Sequence, residues 1–279
     1  LDARFCVKGF QELVEANAAA PTVQLQSIRI ALAVIAYRRW NFRVMDVSRA
    51  FLRSKPLERN TYVKLPDGVE QENVAWKLIK PLYGLSTACK DWYSTIRNFL
   101  TDECGGKVTS LDKSVFFWTQ EGFSYEYGRK YRDPNKTNLD KNEFKANENF
   151  SNEEKRTAMG LIAIHVDDLL ISGSDTFLEY ITFRMKEKFE VDTFEENKAI
   201  YLGMKIEKVD TNDFKGVILD SNNYEDKINH IEISQARSKQ KGDFLTEEEQ
   251  SVMRSELGKL IWLARIARPD AIYDASAAA

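Results

Sequence analysis

The sequence predicts an α+β fold in which helices pack on an antiparallel sheet. Three observations support this class. Helical and strand-like segments alternate without regular βαβ repeats. Two apolar, β-prone runs flank an Asp-Asp pair, which suits a tight hairpin. The 279 residues are 43% hydrophobic, which is enough to bury a sizeable core.

The first third predicts a helix followed by a strand that ends near a carboxylate. Residues 27–40, SIRIALAVIAYRRW, carry apolar side chains at helical spacing. In the next stretch, NFRVMDVSRAFL, the residues Phe42, Val44 and Asp46 share one face of a strand. Asp46 therefore stands at the end of an apolar strand face, a typical position for an active-site carboxylate.

Short strands and a helix follow. TYVKLPDG and VAWKLIKPLYGL predict two strands, and STACKDWYSTIRNFLTDE predicts a helix with Trp92 on its apolar face. Residues 121–157 are rich in Asn, Lys and Glu, so we expect a long disordered insertion there.

The segment after the insertion predicts the acidic hairpin and three further elements. MGLIAIHV and LLISGS form the arms around Asp167 and Asp168. DTFLEYITFRMKEKFEV predicts an amphipathic helix capped by Asp175. AIYLGMKIEKV and KGVILDS predict paired strands, and a capping box of Thr246 with Glu249 begins the last helix.

Composition narrows the possible functions. No apolar stretch is long enough to span a membrane, and LDARFCVKGF is no signal peptide. The three cysteines have no metal-like spacing, and only two histidines are present, which makes a zinc site improbable. Because the chain opens on Leu and stops at DASAAA, we expect it to be a piece of a longer polypeptide.

Charge is distributed unevenly along the chain. The net charge is +6 over residues 1–100 and −9 over the remainder, within an overall −3. Such a basic segment either supplies phosphate contacts or forms a solvated face. The arginines concerned are Arg29, Arg38, Arg39, Arg43, Arg49, Arg53 and Arg59.

Three carboxylates form the candidate site if their strands are neighbours: Asp46, Asp167 and Asp168. Converging anions repel one another unless a cation neutralises them. Oxygen ligands without His or Cys favour Mg²⁺ or Mn²⁺, and a carboxylate-held magnesium pair serves phosphoryl and nucleotidyl transfer. The alternative is structural, because Asp is common in turns and Asp46 alone is typical of a cap or ion pair.

Seven motifs, in order, resemble the reverse transcriptase of copia-type LTR retrotransposons. They are DARFCVKGFQ, VMDVSRAFL, VKLPDG, KLIKPLYGLSTACKDWY, IHVDDLLI, YLGMKIE and MRSELGKLIWLARIARPDAIYDAS. The resemblance covers most of the chain outside residues 121–157. Three departures stand out: His165 replaces a tyrosine, Ser86-Thr87 replace Lys-Gln, and Cys89 replaces a proline.

The resemblance implies a right-hand polymerase fold with fingers, palm and the start of a thumb or connection region. Fingers and the first part of the palm would occupy residues 1–120, and the insertion 121–157. The remaining palm, with the acidic hairpin and primer-grip-like strands, would occupy 158–215, and the truncated thumb or connection start 216–279.

The resemblance also assigns roles to single residues. Asp46, Asp167 and Asp168 would be catalytic and would hold two Mg²⁺ ions, or Mn²⁺, with the Val47 carbonyl nearby. Nucleotide-binding residues would be Arg4, Lys8, Phe51, Tyr83 and Gly84, with Phe51 excluding a 2′-hydroxyl. Primer-binding residues would be His165, Leu202 and Gly203. Structural alternatives stay open for several of these residues: Phe51 as a core side chain, His165 as a satisfied or solvent-facing histidine, and Tyr83, Gly84, Leu202 and Gly203 in purely structural roles.

The function implied is RNA-directed DNA polymerase activity in retrotransposon replication, with an RNA template, a DNA primer and dNTPs as partners. RNase H and integrase regions would belong to the same polyprotein, and no membrane partner is expected. The implied location is cytoplasmic, in a virus-like particle, with the nucleus as a second site and no secretion. Two alternatives are a catalytically silent remnant that binds nucleic acid and a small Mg²⁺ phosphotransferase.

Overall fold

A computed structural model describes residues 5–12, 18–66, 68–69, 74–121, 123, 151, 153, 156–221, 223–234, 237, 239–240 and 244–278. The chain divides into two compact units, Leu1–Asn197 and Lys198–Ala279. Most of the predicted insertion 121–157 lies outside the described residues, and so does Arg4. The domain boundaries proposed from the sequence stay predictions.

Among its described residues, the first unit contains eight strands and four α-helices whose bounds follow. The strands are β1 Asn41–Val47, β2 Thr61–Lys64, β3 Ala75–Leu78, β4 Lys107–Val108, β5 Val115–Thr119, β6 Ala158–His165, β7 Asp168–Gly173 and β8 Val191–Glu196. The helices are α1 Leu25–Arg38, α2 Ala50–Arg53, α3 Ala88–Asn98 and α4 Asp175–Lys188, and a π-helical turn, Phe99–Glu103, continues α3.

Six of these strands form one antiparallel sheet in the order β4-β5-β6-β7-β1-β8. Strands β2 and β3 form a separate antiparallel pair. The α+β class predicted from the sequence is therefore confirmed. The predicted insertion falls in the connection between β5 and β6, and the Gln120 N–H donates to the Thr157 carbonyl where the two strands diverge.

Both faces of the central strands are covered. Met45 and Val47 of β1 point into a core with α3 and α4, which contribute Trp92, Phe177 and Ile181 among others. The opposite face of the sheet is also buried, as the residues Phe42, Val44, Ala163 and Leu170 show. Helix α1 contacts β6 and buries Ile28, Ala31, Leu32 and Ile35. Because apolar side chains on both faces are buried, the sheet gives the ends of β1, β6 and β7 a rigid base.

Arg43 fits neither alternative considered for the arginines of the first third, phosphate contacts or a solvated face. Its side chain is buried, and its guanidinium donates to Glu196, Glu179, the Thr182 hydroxyl and the Leu178 carbonyl. A buried arginine needs such partners because an unpaired buried charge is costly. Arg43 therefore ties β1 to α4 and β8 instead of facing a phosphate backbone.

The helix ends agree with the sequence in one case and differ in another. Thr246 and Glu249 form the predicted capping box. The cap of α4, however, is Ser174, whose hydroxyl accepts from the Phe177 N–H. The prediction of Asp175 was one residue off, since Asp175 is the first helical residue and accepts from the Asn41 side-chain amide.

The second unit contains β9 Lys198–Tyr201, β10 Met204–Asp210 and β11 Lys215–Asp220, followed by α5 Glu247–Ile266 and α6 Ile272–Ala277. The strands pair antiparallel in the order β11-β10-β9. The predicted pairing of AIYLGMKIEKV with KGVILDS is therefore confirmed for β10 and β11, but the first run folds as two strands, β9 and β10, separated by a turn at Leu202 and Gly203. In the part of the chain that the structure describes, no helix is long and apolar enough to cross a membrane.

Candidate active site

Three predicted site residues lie in one row across neighbouring strands. Asp168 at the start of β7 is the direct partner of Asp46 on β1 and of His165 on β6. Residues opposite one another in an antiparallel pair project from the same face of the sheet. The sheet therefore brings the Asp46 and Asp168 carboxylates and the His165 imidazole to one face, with Asp46 exposed and the other two half-buried.

Asp167 occupies the tight turn of the hairpin between β6 and β7. Val166 and Asp167 are the two turn residues, and Val166 has a φ of +56° whereas Asp167 is not among the positive-φ residues. Positive φ at only the first central position is the pattern of a type II′ turn, where glycine is usual. A β-branched valine in this conformation is strained, and such strain persists only where the surroundings enforce it.

Two hydrogen bonds hold the turn in place. The Val47 N–H at the end of β1 donates to the Asp167 carbonyl at 3.2 Å. From α3, the Trp92 indole N–H donates to the Val166 carbonyl at 2.6 Å. The acidic turn is thus fixed to the neighbouring strand on one side and to the buried helix on the other.

The electrostatics around Asp168 are those of an anionic cluster. Partial burial raises the pKa of Asp168, and the negative charges of Asp167 and Asp46 raise it further, while His165 opposes them. Partial burial also raises the pKa of the exposed Cys89 thiol on α3, with a further contribution from the Asp167 carboxylate. The charges that act on Asp168 are therefore mainly negative.

The donor chemistry of this cluster fits a hard divalent cation. Its carboxylates are oxygen donors, which Mg²⁺ and Mn²⁺ prefer. A cation would also offset the charge that raises the pKa of Asp168. Within the described residues, no three or more His, Cys, Asp or Glu side chains are already gathered tightly enough to hold a metal ion.

Phe51 and Tyr83, two predicted nucleotide-binding residues, contact each other. Phe51 in α2 is buried, and its ring packs edge-on against that of Tyr83 with centroids 4.7 Å apart.

Gly84, which follows Tyr83, has a φ of +85°, and a Cβ there would lie 2.0 Å from the Val7 carbonyl oxygen. A Cβ on Gly9 would lie 1.9 Å from the Gly84 carbonyl oxygen. Both glycines are therefore required for the 5–12 segment to lie against the Tyr83–Gly84 turn.

Lys8 lines a cavity of about 650 Å³. The cavity lies between residues 5–12 and the β2 segment, and Leu85 completes its lining. A volume of this size suits a small-molecule ligand. The hairpin carboxylates are not among its lining residues.

Ser86 and Thr87 belong to a polar network next to this cavity. Glu12 accepts from the Ser86 hydroxyl at 2.6 Å and pairs with Arg59 at 2.6 Å. Arg59 also donates to the Thr87 hydroxyl, which in turn donates to Asp91. Arg53 similarly pairs with Glu190. Arg53 and Arg59, like Arg43, thus have carboxylate partners within the unit.

In the second unit, Leu202 and Gly203 form the turn between β9 and β10. Both have positive φ, +52° and +76°, as in a type I′ hairpin. A Cβ on Gly203 would lie 3.3 Å from the Trp262 ring of α5. The structure therefore confirms that these two residues lie in a hairpin, and their binding of primer stays a prediction.

Sequence reasoning placed Trp92 only on the apolar face of its helix, and its contact with the hairpin was missed. The ring is buried as expected, with 1% of its surface exposed. Its indole N–H, however, reaches a residue 74 positions later in the chain. The sequence does contain a hint of this contact, because the indole N–H of a buried tryptophan normally finds a hydrogen-bond acceptor.

Comparisons with known proteins find relatives among the Pol polyproteins of transposons. Residues 1–105 match the family model described as reverse transcriptase (RNA-dependent DNA polymerase). The Retrovirus-related Pol polyprotein from transposon RE1 of Arabidopsis thaliana is 30% identical over 216 residues, 75% of this chain and 12% of that protein. The corresponding polyprotein from transposon RE2 of the same plant is 27% identical over 214 residues, 74% of this chain and 12% of that protein.

A third relative, the Pol polyprotein from transposon TNT 1-94 of Nicotiana tabacum, is 33% identical over 121 residues, 41% of this chain and 9% of that protein. The chain thus spans about 12% of the length of the first two curated relatives that it matches. No solved structure matches the chain significantly.

Proposed function

We propose that the chain extends a primer with dNTPs on an RNA or DNA template. The proposal proceeds from its reverse transcriptase domain, which is related to those of copia-type retrotransposon Pol polyproteins. The observation that carries the proposal is the pairing of Asp46 with Asp168 on adjacent strands, beside Asp167 at the turn. A structural turn explains one Asp pair, but it does not explain a third carboxylate on the neighbouring strand.

In this reaction the primer 3′-hydroxyl oxygen bonds to the α-phosphorus of the dNTP, and the bond from that phosphorus to the bridging oxygen breaks. Pyrophosphate leaves, and the hydroxyl proton passes to water. Asp46, Asp167 and Asp168 would hold two Mg²⁺ ions, with the Val47 carbonyl as a further donor. When bound, the ions would supply Lewis-acid stabilisation of the phosphoryl oxygens and ease deprotonation of the 3′-hydroxyl.

The protein's own contribution is to position the reactants. The hairpin holds Asp167 at its tip through bonds from Val47 and Trp92. Phe51, supported by Tyr83, would present a flat ring to the sugar C2′ and leave no room for a 2′-hydroxyl. Lys8 beside its cavity, together with Arg4, would contact the triphosphate, because cationic side chains suit phosphate oxygens.

A right-hand arrangement is part of the proposal. The six-stranded sheet would be the palm, and the 5–12 segment with β2 and β3 would belong to the fingers. The β9–β10 turn, with Leu202 and Gly203, and His165 would contact the primer end. The partners would be an RNA template, a DNA primer, and RNase H and integrase regions of a parent polyprotein. A cytoplasmic virus-like particle, with the nucleus as a second location, would be the setting.

Primer extension tests the proposal directly. The chain is incubated with an RNA template, a DNA primer and dNTPs in Mg²⁺ or Mn²⁺, beside the Asp167→Asn variant. We expect wild-type extension and a loss of about a hundredfold or more in kcat for the variant, the scale of removing one electrostatic element of an active site. Asp213→Asn, on an exposed loop, is the matched control and should be fully active. No incorporation with either metal contradicts the proposal.

One observation supports the silent remnant as a second candidate. Where the family has Lys-Gln, this chain has Ser86 and Thr87, whose side chains are engaged with Glu12, Arg59 and Asp91. The family's cation and amide are thereby absent from these positions. Salt-dependent template binding without metal-dependent extension would favour this candidate.

A further inference from the structure

We propose that Trp92 is a positioning residue for nucleotidyl transfer, acting through the Val166 carbonyl to fix the turn that carries Asp167. The inference rests on the proposed function and deepens it, because Trp92 would act through the backbone of the turn. Its starting observation is the 2.6 Å hydrogen bond from the Trp92 indole to the Val166 carbonyl.

The turn needs an external restraint because its backbone is unfavourable for its sequence. Val166 holds a φ of +56°, a conformation that β-branched residues rarely adopt. Released from its partners, valine at this position would relax toward negative φ and redirect the peptide that leads into Asp167. Residues in such conformations persist where the surrounding structure over-determines them, and they concentrate at functional sites.

Trp92 is suited to this restraint because its own position is fixed. The side chain is 1% exposed, and its ring packs edge-on against Phe189 with centroids 5.2 Å apart. Phe189 is in turn held by Phe99, at 5.1 Å. A donor locked by packing holds its acceptor more precisely than a flexible side chain does. The helix also runs close to the site, since Cys89, one turn earlier, is near enough to Asp167 for that carboxylate to raise its thiol pKa, in addition to partial burial.

A second tryptophan provides a matched control. Trp118 belongs to the same core, is 0% exposed, and donates its indole N–H to the Cys104 carbonyl at 2.7 Å. Phenylalanine at either position keeps an aromatic ring but removes one indole-to-carbonyl hydrogen bond. A general loss of core stability should therefore affect Trp92→Phe and Trp118→Phe alike, whereas loss of the turn restraint affects only the first.

The test combines steady-state kinetics with a readout that does not depend on activity. We expect Trp92→Phe to lower kcat by about ten- to a hundredfold, the range for small misplacements of catalytic groups, with the KM for dNTP within about twofold of wild type. Trp118→Phe should keep kcat despite a comparable fall in Tm. Amide exchange at Val47, whose N–H bonds the Asp167 carbonyl, should speed up about tenfold in Trp92→Phe only, as for one lost hydrogen bond.

Equal kcat in the two variants would overturn the proposal, and so would unchanged exchange at Val47 in Trp92→Phe. If wild type incorporates no dNTP, the proposed function fails, while the exchange experiment still decides whether Trp92 holds the turn. A rise in the KM for dNTP with an unchanged kcat would also count against a positioning role.

Discussion

Asp46 and Asp168 are direct partners across the β1–β7 ladder, so two carboxylates project from one face of adjacent strands. Like charges opposite one another in a sheet are destabilising. The sheet nevertheless places them together. The pKa of Asp168 is raised, first by burial and then by the charges of Asp167 and Asp46, which means that its ionised form is disfavoured in the folded protein. An arrangement that weakens the fold at neutral pH is typical of a functional site.

The first prediction concerns the stability of Asp168→Asn in metal-free buffer. Folding raises the pKa of Asp168 above its ordinary value of 3.8. A group shifted in this direction stabilises the fold below its unfolded pKa, and that contribution is lost as the pH rises through the folded pKa. We therefore expect Asp168→Asn to have a higher Tm than wild type at pH 7, with the difference disappearing as the pH falls below 3.8.

Thermal unfolding in EDTA across this pH range provides the measurement. Asp213→Asn, which changes an exposed loop carboxylate, should follow the wild-type curve throughout. If the Tm of Asp168→Asn at pH 7 is equal to or below that of wild type, the ionised Asp168 carboxylate does not destabilise the fold.

The second prediction concerns metal binding. If the carboxylates hold Mg²⁺, the ion stabilises the folded state by mass action, about 1.4 kcal/mol at ten times its Kd. Asp46→Asn removes one donor from the cluster, and a tenfold weaker Kd would reduce that gain to about 0.4 kcal/mol at the same concentration. Thermal unfolding with and without Mg²⁺ measures both values, with Asp213→Asn as the control. Identical Mg²⁺ stabilisation of Asp46→Asn and wild type would exclude Asp46 as a ligand.

The third prediction concerns sugar selection by Phe51. The ring is buried and fixed against Tyr83, and shortening it to valine opens space next to the pocket proposed for the sugar. We expect Phe51→Val to reduce the preference for dNTP over rNTP, measured as the ratio of kcat/KM values, by about tenfold or more. Phe116→Val is the control, because Phe116 belongs to the same core on β5. Both variants should lose roughly 2 kcal/mol or more of stability, and a change in preference shared by both would contradict a specific role of Phe51.

The hairpin and its carboxylates were predictable because local pattern and tertiary structure agree there. The β-prone arms on either side of Asp167-Asp168 fold as β6 and β7, and the strand predicted to end near Asp46 lies beside them. Neighbouring strands then bring the carboxylates together without any special side-chain contact. The ordered motifs identify the same three residues independently.

Other features were not predictable because long-range contacts decide them. Turn preferences would place glycine and not Val166 at the positive φ. The restraint comes from long-range contacts, the hydrogen bonds from Trp92 and Val47 and the surrounding packing. Arg43 looked like a surface cation until α4 and β8 supplied Glu179 and Glu196. The cap of α4 was missed by one residue because Ser174 and Asp175 are both good capping residues.

The last prediction concerns the backbone contact between residues 5–12 and the Tyr83–Gly84 turn. At Gly84, an added Cβ meets the Val7 carbonyl oxygen at 2.0 Å and the φ of +85° is strained for any other residue. Backbone atoms cannot move aside as a flexible side chain can, so we expect Gly84→Ala to lower the free energy of unfolding by about 2 to 4 kcal/mol.

Gly258→Ala is the opposite control, because nothing lies within 4 Å of its added Cβ in the exposed part of α5. That change should stabilise the protein by roughly 0.5 to 1 kcal/mol. Chemical denaturation measures both, and a Gly84→Ala variant as stable as wild type would show that the Val7–Tyr83 hydrogen bond does not require this close approach.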